Sequence, residues 1–282
     1  MARHKSVCLE KISCPDCAVQ PNTHLQTYLN VDESLGVEWY SSFCHGPCWE
    51  NKGDVYTKLG QAPKKDIKTP EQLQEETDDV RECAIFKPKL PYRGIPPQFY
   101  RSWGVRLLLS EFDGKTPYGL AFPYSDYGKL VGWKGRPFNK KTFYAIGRTS
   151  DADPFGLERA FKIGGDTLYV TEGEFDAIAL DYAMYLASGQ KMWPVISLTA
   201  GGGSLEKNFD YIYSRIKKRA YKNIVLVLDD DEVGEIAEIT AKEIWGDLIH
   251  VVKKPKGCKD ANDAVKGGKG KEQGLLALNF KK

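Results

Sequence analysis

The chain has 282 residues, 41% of them hydrophobic and 28% charged, with 40 basic against 38 acidic groups and a net charge of +2. That profile fits a folded protein of about two domains. It excludes a disordered tail and a collagen-like repeat, and no apolar run approaches the ~18 residues that a membrane span needs. The basic N-terminus is followed by no apolar core, so no secretory signal is read there. The seven cysteines are an odd number, and without a signal they read as metal ligands or free thiols rather than a disulfide framework.

Residues 1–60 form the first block. Cys14-Pro15-Asp16-Cys17 and Cys44-His45-Gly46-Pro47-Cys48 are two close pairs. Two thiolate pairs on tight knuckles can surround one tetrahedral zinc ion. A metal also answers a stability problem, since so short a block buries little core. The expected zinc ligands are Cys14, Cys17, Cys44 and Cys48, with His45 as the alternative to Cys44 because it keeps two intervening residues before Cys48. Cys8, Cys83 and Cys258 lack such partners and read as ordinary thiols.

Residues 61–84 hold few large apolar groups. Within them, residues 71–82 carry Glu71, Glu75, Glu76, Asp78, Asp79 and Glu82 against Arg81 alone. This block reads as an acidic linker with one short helix after Pro70. Residues 85–165 alternate short aromatic-rich runs with Gly and Pro turns, which indicates a mixed, strand-rich region. Asp113-Gly114-Lys115-Thr116 ends like a phosphate-binding loop, but Leu109 stands where the first glycine belongs and no helix follows, so a hairpin turn is expected. The stretch 129–148 holds Lys129, Lys134, Arg136, Lys140, Lys141 and Arg148 with no acid, interleaved with Trp133, Phe138, Phe143 and Tyr144. Cations beside stacking rings suit single-stranded nucleic acid; a solvated basic face is the plainer alternative.

Residues 166–265 change pattern. Strands are expected at 167–171, 194–198, 224–228 and 248–252. Helices are expected at 175–187, 204–219 and 234–245, with Ser204 as N-cap of the second. Strict alternation of this kind implies a parallel sheet covered by helices on both faces. Gly201-Gly202-Gly203-Ser204 is either a phosphate cradle or a tight turn. Residues 266–282 read as a basic tail.

The sharpest signal lies at the strand ends. Glu172 follows the first of these strands, Asp229 to Asp231 follow the third, and Asp260 follows the fourth after a lysine-rich loop. In a parallel α/β sheet these points share one carboxyl edge, where such folds place their sites. Glu172, Asp176, Asp229 and Asp231 are expected to converge with Asp260 nearby. Like charges that close are unfavourable unless some are protonated or cations bind, and hard oxygen ligands suit Mg²⁺ or Mn²⁺. Asp176 also sits where an acid stabilises a helix dipole, and a single acid at a strand end is commonly a cap. Glu174, Asp230 and Glu232 alternate away from the site and read as solvated.

Thr171-Glu172-Gly173-Glu174-Phe175-Asp176, the run from Asp229 to Gly234, and Lys259-Asp260-Ala261-Asn262 together resemble the TOPRIM domain of bacterial-type primases and of type IA and II topoisomerases. Over nearly all of residues 10–265 the order of segments resembles the primase half of the T-seven-like phage primase–helicases and of mitochondrial Twinkle. Phe122-Pro123-Tyr124 with Lys134 and Arg136, and Pro154-Phe155-Gly156, also look like that group. The resemblance implies an α/β fold with an N-terminal zinc ribbon, a mixed α+β RNA polymerase subdomain and a TOPRIM domain with a Rossmann-like parallel sheet. It implies divalent metal on Glu172, Asp176, Asp229, Asp231 and Asp260, nucleotide or template contacts from Lys134, Arg136, Lys140 or Lys141, and a template-selecting zinc ribbon. Two departures stand out: the second cysteine pair is one residue wider, and the sequence ends soon after the TOPRIM segment with no helicase domain, which is expected either of a separately encoded primase or of the primase piece of a longer protein.

The expected activity is therefore a DNA primase that joins ribonucleoside triphosphates on a single-stranded DNA template, working with a separately encoded replicative helicase, in the cytoplasm of a bacterial host if phage-encoded. One rival is a TOPRIM nuclease or topoisomerase-like strand breaker. The other is a non-catalytic, zinc-dependent single-strand-binding protein of the replisome.

Overall fold

The computed structural model describes residues 4–12, 25–32, 37–44 and 68–280, apart from 111, 141, 150, 151, 191, 199–204 and 218–220. In the first three segments it describes the backbone together with the side chains of Cys8 and Tyr28; for 205–208 and 210 it describes backbone alone. The chain divides into two compact units, Met1–Lys68 and Thr69–Lys282.

In the first unit three strands pair antiparallel: β1 (His4–Ile12), β2 (Leu25–Asp32) and β3 (Val37–Cys44). Leu25 stands opposite Ile12 on one side and Cys44 on the other. The end of β1 and the end of β3 therefore lie at the same end of this sheet, one on each side of β2. Cys14, Cys17, His45 and Cys48, and the side chain of Cys44, lie outside the described residues.

The second unit opens with α1 (Pro70–Glu82). Thr69 and Gln72 form a reciprocal capping box, with Pro70 at the first helical position. This is the helix expected after Pro70, but it is no linker. Thr77 is fully buried and donates to the Val131 carbonyl at 3.2 Å, while the Trp133 indole donates to the Thr77 carbonyl at 2.9 Å. Glu71, Glu75, Asp79 and Glu82 thus belong to the outer face of a docked helix, while Glu76 is half-buried and accepts from the Gly147 N–H at 3.4 Å.

After α2 (Pro97–Ser102), four antiparallel strands follow: β4 (Arg106–Leu109), β5 (Pro117–Asp126), β6 (Lys129–Pro137) and β7 (Tyr144–Gly147). Asp113 makes the expected hairpin turn between β4 and β5, accepting from the N–H groups of Lys115 and Thr116. Alternation gives this sheet two faces. Ala121 and Trp133 pack toward Val80 of α1. Leu120, Phe122 and Tyr124 face the other way, into a large core shared with α4.

The chain then runs α3 (Leu157–Ile163), β8 (Thr167–Thr171), α4 (Glu174–Ser188), β9 (Val195–Ser197), α5 (Leu205–Ile216), β10 (Asn223–Val227), α6 (Glu232–Trp245) and β11 (Ile249–Val251). The four strands are parallel, in the order β11-β10-β8-β9. This is the α/β alternation that the sequence predicts. Tyr169, Val225 and Val227 pack toward α4, whereas Leu168, Val170, Ile224 and Leu226 pack toward α5 and α6. The connection from β8 runs outward to β9, and the next crosses back to β10 on the other side of β8. The topological switch point therefore falls between β8 and β10.

Two short helices complete the unit: α7 (Ala261–Lys266) and α8 (Gly270–Leu278). The expected basic tail is thus a helix docked on α4. A Cβ at Gly274 would lie 2.0 Å from the Ala183 carbonyl oxygen, so only glycine permits this approach. Among the described residues no helix is long and apolar enough to cross a membrane.

Candidate active site

The switch point carries the acids. Glu172 is the first residue beyond β8, and Asp229 lies two beyond β10. Asp176 projects from the first turn of α4, and Asp260 caps α7. Carboxylate oxygens of Asp176, Asp229 and Asp260 all lie within 4.8 Å of one another. Acids from three separate chain segments thus reach one point.

Backbone donors hold this cluster in place. The Asn262 N–H donates to Asp176 Oδ1 at 3.1 Å, which ties α7 to α4. Asp260 accepts from the Asp263 N–H at 2.6 Å. Asp231 caps α6 by accepting from the Gly234 N–H at 3.1 Å. A side chain at Gly234 would collide with the Asp229 carbonyl, its Cβ falling 2.1 Å away. Two of the expected ligands are therefore helix caps as well. A carboxylate has two oxygens, so capping leaves one free to face the cluster.

The electrostatics show how crowded the rim is. Glu172 is pushed up to about 7, first by burial and then by the charge of Asp229 beside it. Burial and the neighbouring Asp260 raise Asp176 well above the usual carboxylate range. Asp231 goes the other way, lowered by its Gly234 cap and by Lys259. Lys259 Nζ lies 3.1 Å from Asp229 Oδ2 and 3.0 Å from Asp231 Oδ2. Carboxyl groups held this close are oxygen donors with an excess of negative charge, which fits a hard divalent cation. Asp230 and Glu232 are exposed, as expected.

The antiparallel sheet supplies the opposing positive charge. Lys134 stands opposite Phe122 and Arg136 opposite Leu120, so both lie on the face toward α4. The Arg136 guanidinium sits 4.7 Å from the Phe143 ring centre and 5.1 Å from that of Phe175. It feels the charges of Glu174 and Asp176. Arg93 stacks over the other part of this site, 4.2 Å from the Phe175 ring centre. Its backbone has φ 53°, and it forms with Gly94 the tight turn between Tyr92 and Ile95. A cleft of about 340 Å³ is lined by Arg93, Arg136, Lys140 and Lys266 with Tyr92 and Phe138 among its walls.

Two expectations need correction. Glu174 is not solvated: it is 1% exposed, and its Oε1 lies 2.7 Å from Lys134 Nζ and accepts from the Tyr124 hydroxyl. Two residues before Asp176 on a helix points away from the rim, but the antiparallel sheet covers that side. Lys134 is accordingly an ion-pair partner rather than a free basic group. Lys141 and the Gly201–Ser204 loop lie outside the described residues. Arg93, Lys259, Asn262 and Lys266 are not among the expected site residues. Lys259 and Asn262 fall within the Lys259-Asp260-Ala261-Asn262 motif without a role assigned to them, the Arg93-Gly94 pair signals only a tight turn, and Lys266 carries no local signal. Two further buried acids are structural. Asp181 binds Arg159, the Trp103 indole and the Trp193 N–H. Asp153 binds Arg215, the Tyr211 hydroxyl and the Tyr127 N–H.

Residues 169–265 match a family model described as Toprim-like. The chain resembles the solved primase fragment of the bacteriophage T7 primase-helicase protein at 24% identity and a TM-score of 0.59, over 96% of this chain and 100% of that one. It also resembles, at 29% identity and a TM-score of 0.54, a chain from the bacteriophage T7 lagging-strand DNA polymerase interacting with primase domains bound to an RNA/DNA hybrid and dTTP; 66% of this chain and 88% of that one are covered. No curated protein gives a significant match.

Proposed function

We propose that this chain, with its Toprim-like domain over residues 169–265, is a phage-type DNA primase, a nucleotidyltransferase that builds short RNA primers on single-stranded DNA. One observation carries the reading. The clustered carboxylates of Asp176, Asp229 and Asp260 share a unit with a cleft lined by Arg93, Arg136, Lys140 and Lys266. A metal-binding rim beside a cationic, ring-walled cleft suits a triphosphate and a nucleic-acid strand.

In this reading Asp176, Asp229 and Asp260, with Glu172 and Asp231 beside them, would hold Mg²⁺ or Mn²⁺. When bound, the ion supplies positive charge to the attacking hydroxyl and to the departing pyrophosphate. The primer's 3′-hydroxyl attacks the α-phosphate of the next ribonucleotide. The Glu172 carboxylate, directly after β8 at the rim, takes the proton from that hydroxyl. Arg136 and Lys140 neutralise the triphosphate, and Arg93 and Lys266 extend that surface. Phe143 and Phe175 hold the guanidinium planes in place by stacking.

The N-terminal unit is proposed as a zinc ribbon with Cys14, Cys17, Cys44 and Cys48 as ligands, or His45 in place of Cys44. The register supports this: Ile12, two residues before Cys14, and Cys44 both pair with Leu25. Such a module would choose the template start site. A replicative helicase is the proposed partner, because the similar T7 fragment comes from a primase-helicase. The proposed setting is the cytoplasm of a bacterial host.

The test is direct. The protein is incubated with random single-stranded DNA, labelled ribonucleotides and Mg²⁺, and the products are sequenced. Short RNAs complementary to the template support the reading. DNA cleavage without RNA synthesis points to a nuclease, and tight DNA binding without turnover to a replisome adaptor; either replaces it.

A further inference from the structure

Lys259 lies on the loop between β11 and α7, directly before Asp260. Its carbonyl accepts the Asp230 N–H at 3.0 Å, so the loop is tied to the Asp229–Asp231 turn through the backbone. Its side chain repeats the link, with the ammonium group 3.1 Å from Asp229 Oδ2 and 3.0 Å from Asp231 Oδ2. Asp229 is at the same time one of the three carboxylates that meet at the rim. The ammonium group is thus paired with one of the very carboxylates that a divalent cation at the rim would need. Its side chain remains 54% exposed, so the charged head can swing into solvent without disturbing the core. The anchored backbone leaves the loop in place when the head departs.

We propose that Lys259 is a built-in counter-ion: it compensates the rim when no divalent cation is bound, and it must withdraw from Asp229 for that cation to settle. The inference rests on reading the rim as a divalent-cation site. Its consequence is competition. Each ion pair that Lys259 gives up when the cation binds counts against affinity, while in the cation-free protein the same pairs oppose repulsion among the acids. Cation affinity is thereby held down, and the empty site is kept from springing apart.

The experiment measures Mn²⁺ binding to the full chain by isothermal titration, in wild type, Lys259→Met, Lys259→Gln, Lys259→Arg and Asp229→Asn. Removing two exposed ion pairs should tighten binding in Lys259→Met and Lys259→Gln by about five- to tenfold, with Lys259→Arg staying near wild type. In EDTA the two neutral variants should melt lower than wild type, and Mn²⁺ should raise their melting temperature more. Equal or weaker binding in both neutral variants overturns the proposal while leaving the cation site standing. Wild-type binding that Asp229→Asn does not weaken overturns the cation site itself, and the proposal with it.

Discussion

Lys134 on β6 and Glu174 on α4 form an ion pair of 2.7 Å that joins the antiparallel sheet to the first turn of the helix carrying Asp176. Glu174 is buried, and the Tyr124 hydroxyl donates to the same oxygen. Burying a carboxylate is tolerable only with such partners. The pair therefore sets how the cationic sheet sits against the carboxylate rim. Glu174→Gln should lower unfolding free energy by about 1.5–3 kcal/mol, the range for a hydrogen bond to a charged group. Urea denaturation measures it. A cost below about 0.5 kcal/mol would be that of an ordinary exposed residue and would contradict this role.

The rim should give the cation-free protein an unusual pH dependence. Glu172 rises from 4.5 to about 7 on folding, and Asp176 shifts in the same direction. A folded state with a raised carboxyl pKa binds more protons than the unfolded one. The associated stability is complete below the unfolded value and is lost as pH climbs through the folded one. Melting temperature in EDTA should therefore fall between about pH 5 and pH 8. Glu172→Gln should flatten that fall, and added Mn²⁺ should offset it. A melting temperature that rises across this window would contradict the crowding.

The docking of α8 on α4 gives a prediction away from the chemistry. Gly274 leaves no room for a Cβ against the Ala183 carbonyl. Gly274→Ala should push the helices apart and cost about 1–3 kcal/mol, as overpacking does. Chemical denaturation reads the loss; an unchanged midpoint would mean that α8 is not seated as described.

For the N-terminal unit, metal analysis of the purified chain should find one zinc per molecule, because four thiolates complete one tetrahedral site. Cys44→Ser should lower zinc retention, and His45→Ala should not. The reverse outcome would assign His45 as the ligand.

The parallel sheet is legible in the sequence because its strands are short apolar runs bounded by acids and turns, such as Ile224 to Leu228 before Asp229. The rim is legible because strand ends in this topology share an edge. Less legible is everything that docks through small or polar residues. The inner face of α1 offers Thr77 and Val80, and that of α8 offers Gly270, Gln273, Gly274 and Ala277, so neither shows an apolar stripe. The burial of Glu174 escapes the sequence for a related reason. Helical spacing tells which side of α4 it occupies but not that a second sheet covers that side. Arg93 and Lys266 meet in one cleft only through tertiary packing that no local spacing encodes.

The measurement that tests the central claim most directly is anomalous diffraction from crystals grown with Mn²⁺. The account predicts a manganese peak among the carboxylate oxygens of Asp176, Asp229 and Asp260, lost in Asp229→Asn. A rim without a peak, beside a wild-type protein that binds Mn²⁺ elsewhere, would contradict it.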